Sequence, residues 1–188
     1  MDIIKAIEKR RSIRKFENKI VPKEIIEKLL VLATKAPSGK NRQPWRFIVL
    51  QNGKKDELVS IMENVLSLHK KQNKPTGSFE LSINSINEAS AVVLVFNAFS
   101  NFEEDYNHYR LLTDTQSIGA AVQTILLATQ DFELGTLWIC DIFYCDKEIC
   151  SWLNRKDELV AAVAIGYPNQ SPYPRPRKLL QEVAKWIY

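Results

Sequence analysis

The sequence predicts an α+β fold, and three observations carry that expectation. Strand-like apolar stretches, Phe47-Ile48-Val49-Leu50, Ala91-Val92-Val93-Leu94-Val95-Phe96 and Leu159 to Ile165, are interleaved with segments of helical spacing, but without a steady β-α-β rhythm. The helical segments group early in the chain. No Gly-x-Gly-x-x-Gly follows a strand and no Gly-x-x-x-x-Gly-Lys-Ser/Thr occurs, so both common nucleotide fingerprints are absent.

The elements read in order as follows. Asp2 caps a short helix in which Ile3, Ile4, Ala6 and Ile7 recur at helical spacing; its apolar face is expected to anchor it and its C-terminal end to deliver Arg10, Arg11 and Arg14. Pro22 opens a second helix, with Ile25, Ile26, Leu29, Leu30 and Ala33 on one face, running to about Thr34 and ended by Pro37-Ser38-Gly39. Phe47 to Leu50 reads as a buried strand closed by Asn52-Gly53. From Asp56, residues Leu58, Ile61, Met62, Val65 and Leu66 form another amphipathic helix. The polar, basic segment from His69 to Ser78 is expected to be a mobile loop.

Ala91 to Phe96, β-branched and short, belongs at the centre of the sheet. An acidic, aromatic loop from Asn101 to His108 leads into a helix ending near Gln130, nearly apolar all round and hence buried, which at roughly 1.5 Å per residue spans the domain. Leu134-Gly135-Thr136-Leu137-Trp138-Ile139 reads as a glycine turn opening a strand, Asp146 as the cap of a short helix to Leu153, and Leu159 to Ile165 as a further buried strand ended by Gly166-Tyr167-Pro168. The tail alternates proline with basic residues, Pro172-Tyr173-Pro174-Arg175-Pro176-Arg177-Lys178. It closes on Leu179, Leu180, Val183, Trp186 and Ile187, an apolar terminus expected to pack on something.

At 188 residues, 45% hydrophobic and 26% charged, the chain has the size and composition of one soluble globular domain, here residues 1–188. No apolar run approaches the length that spans a bilayer. The opening Met1-Asp2-Ile3-Ile4-Lys5 lacks the pattern of a signal peptide, so the expected compartment is the cytoplasm. Cys140, Cys145 and Cys150 match neither a zinc pair nor a redox Cys-x-x-Cys and read as reduced, packed thiols. A net charge of +4 falls short of the one-sided charge of a nucleic-acid binder and suits a small anionic ligand.

Two basic clusters, Arg10/Arg11/Arg14 and Arg175/Arg177/Lys178, stand at opposite ends of the chain, and a fold can bring them together. Guanidinium forks bind phosphate oxygens in pairs of charge-assisted bonds; a solvated charged surface is the competing reading. The familiar catalytic arrangements are missing. His69 and His108 have no metal-ligand spacing, no Gly-x-Ser-x-Gly elbow exists, and Glu103-Glu104-Asp105 reads as a solvated loop. With no catalytic side chain assigned and no metal, a bound cofactor is expected to carry any reaction.

Five pieces, Arg10-Arg11-Ser12-Ile13-Arg14-Lys15-Phe16, Ala36 to Phe47, Leu134 to Ile139, Ile165 to Pro168 and Arg175 to Val183, together resemble the nitroreductase family of flavoproteins, in the family's order and over nearly the whole chain. The resemblance implies a nitroreductase-like α+β fold with a central mixed sheet flanked by helices, in an intertwined homodimer binding FMN non-covalently at its interface. It implies that Arg10, Arg11, Ser12, Arg175 and Arg177 hold the FMN phosphate and that Arg14 reaches toward the ribityl chain or pyrimidine edge. Pro37, Ser38 and Asn41 would meet the flavin from the other subunit. Leu134, Gly135 and Thr136 would line the ring, where a glycine admits close backbone approach. The implied activity is ping-pong hydride transfer from NADH or NADPH to a nitroaromatic, quinone or other conjugated small-molecule acceptor. Reductive dehalogenation, flavin breakdown and non-catalytic FMN binding are the alternatives on the same scaffold. Leu179 and Cys140 stand where the family often has proline and glycine. The segments 69–78 and 99–108, which help shape the family's acceptor channel, are individual to this chain.

Overall fold

The computed structural model describes residues 2–188. In chain order the elements are α1 (Ile3–Lys9), α2 (Lys23–Ala33), a 3₁₀ turn (Gly39–Asn41), β1 (Trp45–Gln51), α3 (Gly53–Lys71), α4 (Phe79–Glu88), β2 (Ala91–Asn97) and α5 (His108–Ala128). A second 3₁₀ turn (Thr129–Phe132), β3 (Gly135–Ile139), a third (Asp141–Cys145), α6 (Asp146–Trp152), β4 (Glu158–Gly166) and α7 (Leu180–Val183) complete the chain.

The four strands lie in the order β1-β2-β4-β3, and every neighbouring pair is antiparallel. The mixed character expected of the sheet is confined to one parallel bridge, Ser12 with Thr136, outside β3. β2 is buried along its whole length, because helices cover both faces and its side chains divide by the two-residue period of a strand. Val92, Leu94 and Phe96 enter one core with α3, α4 and α6, while Ala91, Val93 and Val95 enter the other with α2 and α5.

Several expectations are corrected. Phe47 to Leu50 lies on an edge strand with Val49 exposed, since β1 has a partner on one side only. The chain leaves it through Asn52, at φ 50°, and enters α3 at once, so that helix begins at Gly53 and takes in His69 as well. The expected loop therefore shortens, and α4, which the sequence reading missed, follows it. Its apolar positions Phe79, Ile83 and Ile86 have helical spacing but are diluted by buried Ser82 and Ser85. Asp146 is the first residue of α6, not its cap, because the preceding 3₁₀ turn places Cys145 there. α5 buries one face rather than its whole circumference, leaving Tyr109 and Leu112 exposed. In α1 only Ala6 is buried, so the Ile3, Ile4 and Ile7 face does not anchor within this chain. Among the described residues no helix is long and apolar enough to cross a membrane.

Candidate active site

Asp2 caps α1 by accepting from the Ile4 amide at 3.2 Å, and Arg10 leaves the helix with extended ψ 130°. The next residues are seated along the outer edge of β3 and the end of β4. The Ile13 amide donates to the Thr136 carbonyl, the Glu17 amide to Tyr167 and the Asn169 amide to Lys15, each at 2.9 Å. Ile13 and Phe16 turn into the core, which leaves Arg14 outward. The proline-rich tail folds back over the same edge. The result is a cleft of about 250 Å³ lined by Arg10, Arg11, Ser12, Arg14, Pro172, Tyr173, Arg175 and Arg177.

The arginines of both basic clusters thus meet in one cleft whose lining contains no carboxylate and does not include Lys178. Arg11 is oriented by donating from Nη1 to the carbonyls of Glu8 (2.6 Å) and Arg10 (3.0 Å). Five guanidinium groups around one space repel each other unless an anion joins them, and their fork geometry matches a phosphate. The cleft therefore suits an anion of phosphate shape. Beside it, the Thr136 hydroxyl is buried without a hydrogen-bond partner, an unmet polar group of the kind that a ligand or an ordered water commonly satisfies.

The three residues expected to line a flat ring behave differently from one another. Leu134 packs its side chain in the core, so only its backbone faces outward chemistry. A Cβ on Gly135 would stand 2.7 Å from Cγ1 and 2.9 Å from Cβ of Ile13. Within this chain its missing side chain is what lets the cationic segment approach β3. Thr136 contributes the carbonyl that holds Ile13 and the unpartnered hydroxyl.

Pro37, Ser38 and Asn41 lie elsewhere. Their turn precedes Trp45 at the start of β1, whereas Gly135, through Gly166 and the Ile165 and Ala91 pairings, lies level with the end of β1 at the opposite edge. Strand spacings of ~4.8 Å across and ~3.4 Å per residue along put these corners roughly 25 Å apart. Lys40, Asn41 and Gln43 all have positive φ, 52°, 55° and 49°, which is strained for residues other than glycine. The Ser38 hydroxyl accepts from the Gln43 amide at 3.0 Å, and the Gly39 amide donates to the Ser117 hydroxyl of α5 at 3.2 Å.

Sequence reasoning missed the group that holds this turn. Arg42 donates from Nε and Nη2 to Asp114 at 3.1 and 3.2 Å, and from Nη2 to both Glu103 oxygens at 3.0 Å. Its guanidinium also lies 4.5 Å above the centre of the Phe99 ring. The Tyr106 hydroxyl donates to Asp114 at 3.1 Å and accepts from Asn97 at 2.7 Å. Asp114 is fully buried. Its hydrogen bond, with that of Glu103, raises the Arg42 pKa beyond the ordinary guanidinium range. Burial pushes the Tyr106 phenol up to about 12, with Asp114 adding to the effect and Asn97 opposing it. Glu103 also pairs with Arg110 at 3.1 Å and is half-buried, while Glu104 and Asp105 beside it are exposed in the loop as expected. One signal was available: Asp114 shares the helical phase of Ile118, Ala121 and Ile125, an acid on an apolar stripe.

The histidines stay apart. His69 meets Tyr144 edge-on at 5.4 Å between ring centres, and His108 opens α5. The cysteines are free thiols, with Cys145 buried and pushed up to about 12 by that burial.

The chain is similar to known proteins along nearly its whole length. The chain is 31% identical over 181 residues to a Methanothermobacter thermautotrophicus protein provisionally named an NADH dehydrogenase/NAD(P)H nitroreductase, covering 93% of this chain and 82% of that one. It is 29% identical over 190 residues to iodotyrosine deiodinase 1 of Sus scrofa, covering 94% of this chain and 65% of the relative. A Desulfovibrio desulfuricans structure, provisionally described as a nitroreductase in complex with FMN, superposes with a TM-score of 0.79 at 27% identity, over 100% of this chain and 98% of that one. The model of the nitroreductase family matches residues 7–167, from the helix that delivers the arginines to the turn closing β4. With its helix-flanked sheet and its arginine cleft at the edge of β3, the chain belongs to the nitroreductase family.

Proposed function

We propose that residues 1–188 form one FMN-binding domain of a cytoplasmic, homodimeric oxidoreductase that oxidises NADH or NADPH and reduces nitroaromatic, quinone or similarly conjugated acceptors. The single observation that carries the reading is the cleft of five arginines and Ser12, assembled from both ends of the chain with no carboxylate in its lining. FMN held there would supply the hydride chemistry between a nicotinamide and the acceptor.

The side chains bind and orient. Arg10, Arg11, Ser12, Arg175 and Arg177 hold the phosphate, and Arg14 sets a fixed positive charge toward the ribityl chain or pyrimidine edge. Leu134, Gly135 and Thr136 offer backbone groups and one hydroxyl to the ring. Pro37, Ser38 and Asn41, at the opposite corner of the sheet, serve the partner's flavin. The Desulfovibrio structure's bound FMN supports the cofactor. The exposed apolar faces of α1 and of the tail support the dimer.

Purified protein is expected to be yellow, with about one FMN per chain. Replacing Arg10 and Arg177 together by alanine removes two charge-assisted contacts, so FMN affinity, followed by flavin fluorescence, should fall by about a hundredfold. Unchanged affinity would remove the phosphate assignment. The likeness to iodotyrosine deiodinase 1 favours one second reading, reductive dehalogenation of a halogenated aromatic. Halide release during turnover with halophenols, compared with nitroaromatic and quinone reduction, separates the two.

A further inference from the structure

The turn 38–43 holds three non-glycine residues in the left-handed region, a shape that the free chain would abandon. Its internal bonds are local: the Asn41 amide to Ser38, the Arg42 amide to Gly39, and the Gln43 amide to the Ser38 hydroxyl. Two tethers reach beyond it to α5, the Gly39 amide on Ser117 and the Arg42 fork on Asp114. The fork is the stronger, because both partners are charged, the bond is bidentate and the carboxylate has no access to water. The same carboxylate takes the Tyr106 hydroxyl, and Arg42 takes Glu103, so the segment around residues 99–106 is fastened at the same point.

We propose that Asp114, acting through Arg42, is a positioning residue that sets the turn carrying Ser38 and Asn41 in its flavin-contacting shape and couples it to the segment 99–106. The proposal rests on the reading that Ser38 and Asn41 meet the flavin. Asp114 touches neither cofactor nor substrate in this scheme. Its effect passes entirely through the geometry of the turn, so it must shrink when one of the turn's own contacts is already lost.

A double-mutant cycle on FMN binding tests this, read by flavin fluorescence in the full-length chain. Ser38→Ala should weaken FMN about fivefold and Asp114→Asn about tenfold, while the double variant should stay near tenfold, because a misplaced Ser38 has nothing left to lose. Guanidinium chloride at millimolar concentration should leave FMN affinity in Arg42→Ala unrestored, because a free cation can sit beside Asp114 without being joined to the turn; rescue by the free cation would show that Arg42 only neutralises a buried charge and would overturn the proposal. Where Asp114→Asn does not fold, Arg42→Lys, which keeps the charge and loses the fork, carries the same cycle. Wild-type affinity in Asp114→Asn, or effects that multiply to about fiftyfold in the double variant, would overturn the proposal alone. Wild-type affinity in both Ser38→Ala and Asn41→Ala would overturn the flavin reading of the turn, and the proposal with it.

Discussion

Tyr106 shows how a single side chain in this protein depends on its surroundings. Its hydroxyl joins Asn97 at the end of β2 to buried Asp114, and burial holds the phenol protonated up to about pH 12, against about 10 for a free tyrosine. A group whose folded pKa is raised contributes stability that is complete below its unfolded pKa and is lost as pH climbs through the folded one. Urea unfolding at pH 9 and pH 11 should therefore show Tyr106→Phe less stable than wild type at pH 9, with the gap narrowing at pH 11. A constant gap would mean that the phenol titrates normally. The residue is invisible as a site in the sequence, where it is one aromatic in an acidic stretch, because its role depends on a carboxylate eight positions away on a helix.

Among the elements, the pairing of residues 12–17 with β3 and β4 decides whether a site exists at all. The segment is too short and too charged to announce itself as a strand, yet it buries Ile13 and Phe16 and makes amide bonds to Thr136 and Tyr167. Ile13 occupies the space where a Gly135 side chain would be. Gly135→Ala should overpack that contact and cost about 2 kcal/mol, with weaker FMN binding because Ser12 is displaced. Ile13→Ala in the same chain should recover part of the loss, measured by urea midpoint and FMN titration. An alanine variant with wild-type midpoint would show that the segment yields freely. Glycine at this position was anticipated, but for close approach to the cofactor. The packing reason appears only when the segment and the strand are brought side by side.

For the molecule as a whole, the unpartnered apolar surface is the governing feature. Ile3, Ile4 and Ile7 are 58%, 61% and 57% exposed, and Leu179, Leu180, Val183, Trp186 and Ile187 are exposed as well. Contiguous apolar faces of this kind mark association surfaces, and in the proposed homodimer they are covered. Deleting residues 179–188 should shift sedimentation from dimer to monomer and lower FMN retention. Far-UV circular dichroism should stay nearly unchanged, since the deleted part contains only the four-residue α7 and lies outside both cores. A truncated chain that remains dimeric would remove the tail from the interface.

Residue order alone determined the α+β class, the central strands and most helices, because burial patterns are local properties that a linear reading can register; that the arginines from both chain ends meet was only a possibility until the tertiary structure decided it. The linear reading missed α4, whose apolar spacing is diluted by serines, and it took Glu103 for a solvated acid. Only the tertiary structure decided that Arg10 to Arg14 and Pro37 to Asn41 sit at opposite corners of the sheet. It alone showed that Gly135 makes room for Ile13, and that Arg42 and Tyr106 are hydrogen-bonded into one group around buried Asp114. The physical reason is common to all three: each depends on which distant residues are brought side by side, and that is set by how the sheet and α5 pack, not by any spacing along the chain.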